Sequence, residues 1–186
     1  KGELLSKTSK VLKDNGYNVK AFNINNIPCS HRWNVLKEIK DEQSASICAK
    51  AIVENTIVWD AGDEFWENHY INFLKALALY VVKNDPEERQ NMRTVYEYIT
   101  YPEGFAGLDA LIGRALNDDP LHPAYQSWTA FKTAAGNEKV SAGEMSGLAI
   151  RLDTLQIPQF CDLLSGNDID LIAPGNENCA YIIVVP

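Results

Sequence analysis

Five side chains of the kind that bind metals crowd one stretch of this chain: Asp60, Asp63, Glu64, Glu67 and His69. Carboxylate-bridged metal sites in helical bundles use Glu-x-x-His pairs, whose two ligands share a helical face. Glu67 and His69 are only two residues apart, so a helix directs their side chains about 200° apart. The spacing favours a solvated acidic turn. A metal-dependent hydrolase built on Asp63, Glu64, Glu67 and His69 is kept as the third of three hypotheses.

Other catalytic signatures are incomplete. None of the eleven glycines precedes a lysine, so this sequence carries no phosphate-binding P-loop. Ser146 lies in GEMSG, where the glycines are not placed two residues to either side as a nucleophile elbow requires. His31, His69 and His122 have no neighbours in sequence that would indicate a triad, and His122 is expected at the surface. We therefore expect no catalytic residue, no metal and no complete cofactor site in this chain.

The balance of charge bears on the class of partner. With 17 Lys and Arg against 25 Asp and Glu, the formal net charge is −8, which disfavours a non-specific surface for DNA. An acidic face that meets a basic protein is favoured instead. Tryptophans are able to stack on the bases of a single strand, but the helical spacing of these four favours core packing: Trp33, Trp59, Trp66 and Trp128.

The cysteine spacing and the hydropathy predict reduced thiols in a cytosolic protein without a membrane span. The four cysteines lie far apart and form no CxxC pair, which predicts free thiols: Cys29, Cys48, Cys161 and Cys179. The longest apolar run, Ala76–Val82, falls far short of the roughly 18 residues of a membrane span. We expect this chain to make no membrane contact. Both of its ends resemble cuts from a longer protein.

The stretch Trp59–Asn84 is predicted to be the central helix. Its apolar residues recur at three- and four-residue steps, the spacing of one helical face: Phe65, Trp66, Tyr70, Phe73, Leu74, Leu77, Ala78 and Val81. Asp60 is the predicted N-cap, and Pro86 prevents a simple continuation beyond Asn84. Helices with matching apolar faces are expected to pack around this one.

The pattern on either side predicts a mainly α fold with α/β edges. A helix that ends at Gly16 and a strand at Asn18–Ile24 open the chain, and a strand at Tyr181–Val185 closes it. Between them, residues 32–165 read as a helical bundle domain, inserted into an α/β domain to which residues 1–31 and 166–186 belong. Two details are specific: a helix at Glu42–Glu54 buries Ile47, Cys48, Ala51 and Ile52, and one at Val140–Leu155 has a capping box of Ser141 and Glu144.

Three stretches, taken in order, resemble a known family. KGELLSKTSKVLKDNGYNVKAFNINN with SHRWN, then FWENHYINFLKALALYV, then SGNDIDL with AYIIVVP are similar to the coupling proteins of type IV secretion and conjugation, the TraG/TraD family. The similarity covers essentially the whole chain. Val35 departs from the proline usual in the family, and Asn68-His69 departs from its Ala-Glu.

The resemblance implies a part of a hexameric, membrane-anchored, RecA-like P-loop ATPase. The helical domain would be the family's all-α domain at the cytoplasmic mouth of the ring. Lys1, Gly2 and Glu3 match a family element near the nucleotide site. The Walker A loop would precede Lys1 and the Walker B acid would follow Pro186, so that ATP and Mg²⁺ belong to the parent motor and not to this chain.

The leading functional hypothesis is therefore a substrate-recruitment domain without catalysis of its own, which binds a relaxase, its relaxosome partners or protein effectors. The expected partner-binding loops are Asp85–Gln90 and Asn117–Pro123, with four acidic candidates: Glu87, Glu88, Asp118 and Asp119. The second hypothesis is direct contact of the helical domain with the transferred single-stranded DNA.

Overall fold

The computed structural model describes residues 2–56 and 64–185. Within them, two strands form one parallel sheet: β1 (Asn18–Asn23) and β2 (Cys179–Val184). The helices are α1 (Glu3–Asp14), α2 (Glu42–Asn55), α3 (Glu64–Asn84), α4 (Met92–Ile99), α5 (Gly104–Leu108), α6 (Arg114–Asp118), α7 (Tyr125–Ala135), α8 (Glu138–Arg151) and α9 (Pro158–Leu163). The chain is thus mainly helical, as the sequence predicts.

The chain divides into two compact units. The first comprises Lys1–Asn34 and Ile157–Pro186, and the second Val35–Gln156. The predicted domains were 1–31, 32–165 and 166–186. They depart from these two units mainly at the end of the middle domain, because α9 belongs to the first unit. That helix is tied there through its end, where the backbone N–H of Trp33 donates to the carbonyl of Leu163 at 2.9 Å.

The first unit is built on the two predicted strands. They pair in parallel from Asn18 with Cys179 to Asn23 with Val184. Val19, Ile182 and Val184 are buried on one side, where Leu5 and Leu12 of α1 pack against them. The turn from α1 into β1 needs Gly16, whose φ of 80° lies in the left-handed region that glycine adopts without strain.

A charged contact links the start and end segments of this first unit. Asp168 Oδ2 accepts hydrogen bonds from the backbone N–H of Arg32 at 2.8 Å and from its Nε at 3.0 Å. These bonds hold the pKa of Asp168 below its ordinary value. Trp33 and Asn167, the neighbouring residues, form an antiparallel bridge.

The second unit is organised around α3, as predicted. The predicted apolar face is buried at Phe73, Leu74, Leu77, Ala78 and Val81, and α2, α4, α7 and α8 pack against this helix. Phe73 stacks on Phe131 of α7 with ring centroids 4.5 Å apart. The predicted N-cap, Asp60, lies outside the described residues.

The buried face of α2 differs from the prediction. Ala45, Ala49 and Val53 are buried, whereas Ile47 and Ala51 are exposed and Cys48 and Ile52 are half-buried. Small residues repeated every four positions allow the backbone of α2 to approach α3 closely, and this approach outweighs the larger transfer energy of Ile47. The helix begins at a capping box formed by Asp41 and Ser44.

Two further helical segments have irregular features. A π-helical turn, Asp109–Gly113, lies between α5 and α6. Helix α8 begins at Glu138, because the side chain of Asn137 accepts from the backbone N–H of Val140 at 3.1 Å. The predicted capping box of Ser141 and Glu144 is therefore wrong, and both residues lie buried inside the helix.

Among the described residues, no helix has an apolar stretch long enough to cross a bilayer.

Candidate functional site

The two loops predicted to bind a partner meet at the end of α3. Nδ2 of Asn84, the last residue of that helix, lies 2.7 Å from Nε2 of His122. The His122 ring also lies 5.9 Å from the ring of Tyr80, one turn earlier on α3. These contacts bring the segment after Asn84 and the turn around His122 to one end of the second unit.

His122 is buried, which corrects the prediction that it lies at the surface. Burial lowers the pKa of the imidazole, the charge of Lys83 lowers it further, and Asp119 opposes both. A neutral ring at pH 7 follows from these effects. His122 therefore acts here as a packing and hydrogen-bonding residue that fixes the turn.

A second set of contacts fixes the segment that follows α3. The hydroxyl of Tyr98 donates to Asp85 Oδ2 at 3.1 Å, and Arg89 Nε donates to Asp85 Oδ1 at 3.2 Å. Burial, together with the charge and hydrogen bond of Asp85, raises the pKa of Tyr98 to about 12. Tyr98 packs edge-on against Tyr80, with ring centroids 5.8 Å apart. Asp85 is thus a structural anchor and not a free charge.

The four predicted acidic candidates are exposed on these loops, and we call Glu87, Glu88, Asp118 and Asp119 the acidic rim. Glu87 pairs with Lys37 at 2.9 Å, and this hydrogen bond lowers the pKa of its carboxyl. Asp119 Oδ1 accepts from the backbone N–H of Leu121 at 3.2 Å, which orders the turn. The side chain of Leu121, beside the rim, is 95% exposed.

Of the residues predicted as metal ligands, the structure describes the side chains of Glu67 and His69 only. Asp63 and the side chain of Glu64 lie outside the described part of the chain. Glu67 is half-buried, while His69 is buried and bonds through Nδ1 to Oε1 of Glu144 on α8. Among the described residues no group of three or more His, Cys, Asp or Glu could hold a metal ion.

The family element at the start of the chain is only partly described. Lys1 lies outside the described residues. Gly2 precedes α1 with a φ of 82°, and Glu3 forms an exposed ion pair with Lys7. Ser146, the other residue weighed for chemistry, donates its hydroxyl to the carbonyl of Ala142 at 2.9 Å, an ordinary bond within a helix.

The tryptophans fall into two kinds. Trp128 is buried against Phe105 and Phe131, as core packing predicts. Trp33 is half-buried beside Phe22, and Trp59 lies outside the described residues. Trp66, by contrast, is 40% exposed. Helical spacing in the sequence did not predict this exposure.

The bond between His69 and Glu144 was not predicted from the sequence either. No local pattern indicates it, because 75 residues separate the two.

These observations define a mainly helical protein with a small parallel sheet. Its described residues include no metal cluster. The chain belongs to the family described as type IV secretory system conjugative DNA transfer, whose model matches residues 1–104. This match confirms the resemblance seen in the sequence. No curated protein and no solved structure matches the chain.

Proposed function

We propose that the helical unit is the substrate-recruitment domain of a conjugative coupling protein, and that the acidic rim binds a basic relaxase or effector protein. The observation that carries this proposal is the meeting of two acidic loops at the end of α3, held by Asn84 and His122. Family membership supplies the context of conjugative DNA transfer.

The net charge and an exposed apolar side chain both support a protein partner at the acidic rim. The net charge of −8 disfavours phosphate backbones and favours basic proteins, whose encounter it accelerates at low salt. Leu121 adds an exposed apolar side chain next to Asp119. An apolar contact surrounded by charges is the usual anatomy of a protein interface.

The parent would be a hexameric, RecA-like ATPase anchored in the membrane, with the helical unit inserted into its nucleotide-binding domain. ATP and Mg²⁺ would bind residues outside this chain, because no glycine here precedes a lysine. In this proposal the chain itself has no catalytic step. It positions the transfer substrate for the motor.

The proposal is tested by binding of the chain to a purified relaxase at physiological salt. We would compare the pair of reversals Glu87→Lys with Glu88→Lys, and the pair Asp118→Lys with Asp119→Lys. Each pair should weaken binding at least tenfold, mostly through a slower association rate. The Asp118 and Asp119 pair should have the larger effect, because Glu87 is already paired with Lys37.

A matched control reverses two exposed acids elsewhere on the same unit, Glu54→Lys with Asp153→Lys. It changes the net charge by the same amount and should leave binding within twofold. Equal losses in all three pairs would show that only the net charge matters. Unchanged binding in both rim pairs would show that the rim is not the docking site.

A further inference from the structure

The turn between α6 and α7 is held by the imidazole of His122, which is 6% exposed. Nδ1 of the ring accepts a hydrogen bond at 3.0 Å from the backbone N–H of Ala124, and Nε2 contacts the amide of Asn84. The backbone N–H of His122 donates to the carbonyl of Asp119 at 3.0 Å. The buried ring therefore ties the acidic turn to the start of α7 and to the end of α3.

The two contacts of the ring respond differently to a proton. The side-chain amide of Asn84 can present either its oxygen or its NH2 group to Nε2. The backbone N–H of Ala124 can only donate. A neutral imidazole leaves Nδ1 free to accept this bond, whereas an imidazolium has a hydrogen on both nitrogens. Protonation of the ring therefore places two donors face to face at Nδ1, and the bond to Ala124 is lost.

The surroundings of His122 also disfavour a charged ring. Burial lowers the pKa of the imidazole, Lys83 of α3 lowers it further, and Asp119 of the turn opposes both. Tyr80 of α3 packs against the ring, and burial together with the charge of Asp85 raises the pKa of its hydroxyl, so Tyr80 is neutral at acid pH. Below about pH 6.5, the ordinary value for histidine, an exposed ring binds a proton more readily than the buried one.

We propose that His122 is a pH-dependent latch for the acidic rim, whose protonation releases the ring from Ala124 and loosens the turn that carries Asp119 and Leu121. The released imidazolium would also add a positive charge beside the rim. A basic partner would then bind a less ordered and less negative surface. This consequence rests on the proposed function of the rim, but the latch itself does not.

The direction and the size of the effect follow from linkage. A pKa that is lower in the closed turn than in the open one stabilises the closed turn above the open-state value, near 6.5. This contribution is lost as pH falls below that value, and the loss levels off at the lower pKa of the buried ring. At pH 5.5, the ratio of closed to open turn should be lower by up to about tenfold.

The latch is tested by NMR of the unmodified chain between pH 7.5 and 5.5. Hydrogen exchange of the Ala124 amide, corrected for the intrinsic effect of pH, should lose up to about tenfold in protection as the His122 ring titrates. His122→Asn is the matched control. Its side-chain oxygen can accept from the N–H two residues on without titrating, so the protection of Ala124 should be independent of pH. Constant protection in the unmodified chain would overturn the proposal.

Two charge variants check that His122 is the group that titrates. Lys83→Met removes the repulsion and should move the midpoint of the exchange transition to higher pH. Asp119→Asn removes the attraction, keeps an oxygen for the N–H of Leu121, and should move the midpoint to lower pH. A midpoint that is the same in both variants would assign the transition to another group and overturn the latch.

Binding of a purified relaxase at pH 7.5 and 5.5, at constant ionic strength, tests the consequence for the rim. The affinity should fall by a larger factor in the unmodified chain than in His122→Asn, with a difference of up to about tenfold. Equal factors would overturn regulation of the rim by His122. Failure of the unmodified chain to bind at pH 7.5 would instead overturn the proposed function, and the exchange experiment, which needs no partner, would still decide the latch.

Discussion

The carboxylate of Asp109 accepts a hydrogen bond at 3.0 Å from Nε1 of the buried Trp128. Asp109 is also the first residue of the π-helical turn between α5 and α6, and Lys132 donates to both of its oxygens. The irregular turn therefore has a physical role. It places a carboxylate where an indole N–H would otherwise be buried without a partner.

The first prediction concerns this bond. Asp109→Ala should lower the free energy of unfolding by about 1–3 kcal/mol, the cost of leaving a buried donor unsatisfied. Lys132→Ala, which removes only the partly exposed ion pair, should cost less than about 1 kcal/mol. Urea denaturation of the two variants measures the difference. Equal costs would mean that the ion pair, and not the indole bond, stabilises the turn.

The second prediction compares two glycines one turn apart on α8. A Cβ on Gly147 would lie 2.3 Å from the hydroxyl oxygen of Tyr70, whereas a Cβ on Gly143 would meet open space. Gly147→Ala should destabilise the protein by about 1–3 kcal/mol through overpacking. Gly143→Ala should stabilise it by about 0.5–1 kcal/mol, because alanine favours the helix.

Chemical denaturation checks both glycine variants. Tyr70→Phe removes the clashing hydroxyl, so in that background Gly147→Ala should lose most of its cost. A Gly147→Ala variant as stable as Gly143→Ala would contradict the close approach of α3 and α8.

The third prediction concerns alkaline pH. The pKa of Tyr98 is raised to about 12 from its ordinary 10 by burial and by Asp85. A raised pKa stabilises the folded state below the unfolded value, and this contribution is lost as pH rises from about 10 through 12. Asp85→Asn should move the pKa of Tyr98 down and narrow that window. Ultraviolet titration of tyrosinate measures the ionisation of Tyr98, and loss of one step in Tyr98→Phe identifies it. An unchanged titration in Asp85→Asn would exclude the contact between Tyr98 and Asp85.

The fourth prediction concerns acid pH in the first unit. Hydrogen bonds from Arg32 lower the pKa of Asp168. The contribution of a lowered pKa is present above the unfolded value, near 3.8, and is lost as pH falls through the folded value. Asp168→Asn should therefore be less stable than the parent at pH 7, and the difference should shrink below about pH 4. Asp14→Asn, an exposed control in the same unit, should show no such change. A difference independent of pH would rule out the ion pair as its cause.

Much of the local structure could be predicted, because it depends on neighbouring residues. The apolar face of α3 repeats over five turns, and packing follows from it. The strands predicted at Asn18–Ile24 and Tyr181–Val185 are likewise present, at Asn18–Asn23 and Cys179–Val184. The buried face of α2 could not be predicted from hydrophobicity alone. Its small residues are buried because the backbones approach closely, and that distance depends on α3.

The candidate sites depend on contacts between distant residues. His122 is buried because it contacts Tyr80 and Asn84, which lie about 40 residues earlier in the chain. Glu144, assigned from sequence to a helix cap, instead bonds to His69 on another helix. A periodic pattern shows which face of a helix is apolar, but not which polar side chain on the next helix will meet it.

The pairing of β1 with β2 has a consequence for the order of folding. It joins Asn18 to Cys179, so nearly the whole chain lies between the two strands. Closing so long a loop is entropically unfavourable while the intervening residues are disordered. Contacts of high sequence separation form slowly, whereas helices form from local contacts. We expect the helices to form first and the two strands to pair last, so that a chain stalled before this step would expose both unpaired strands.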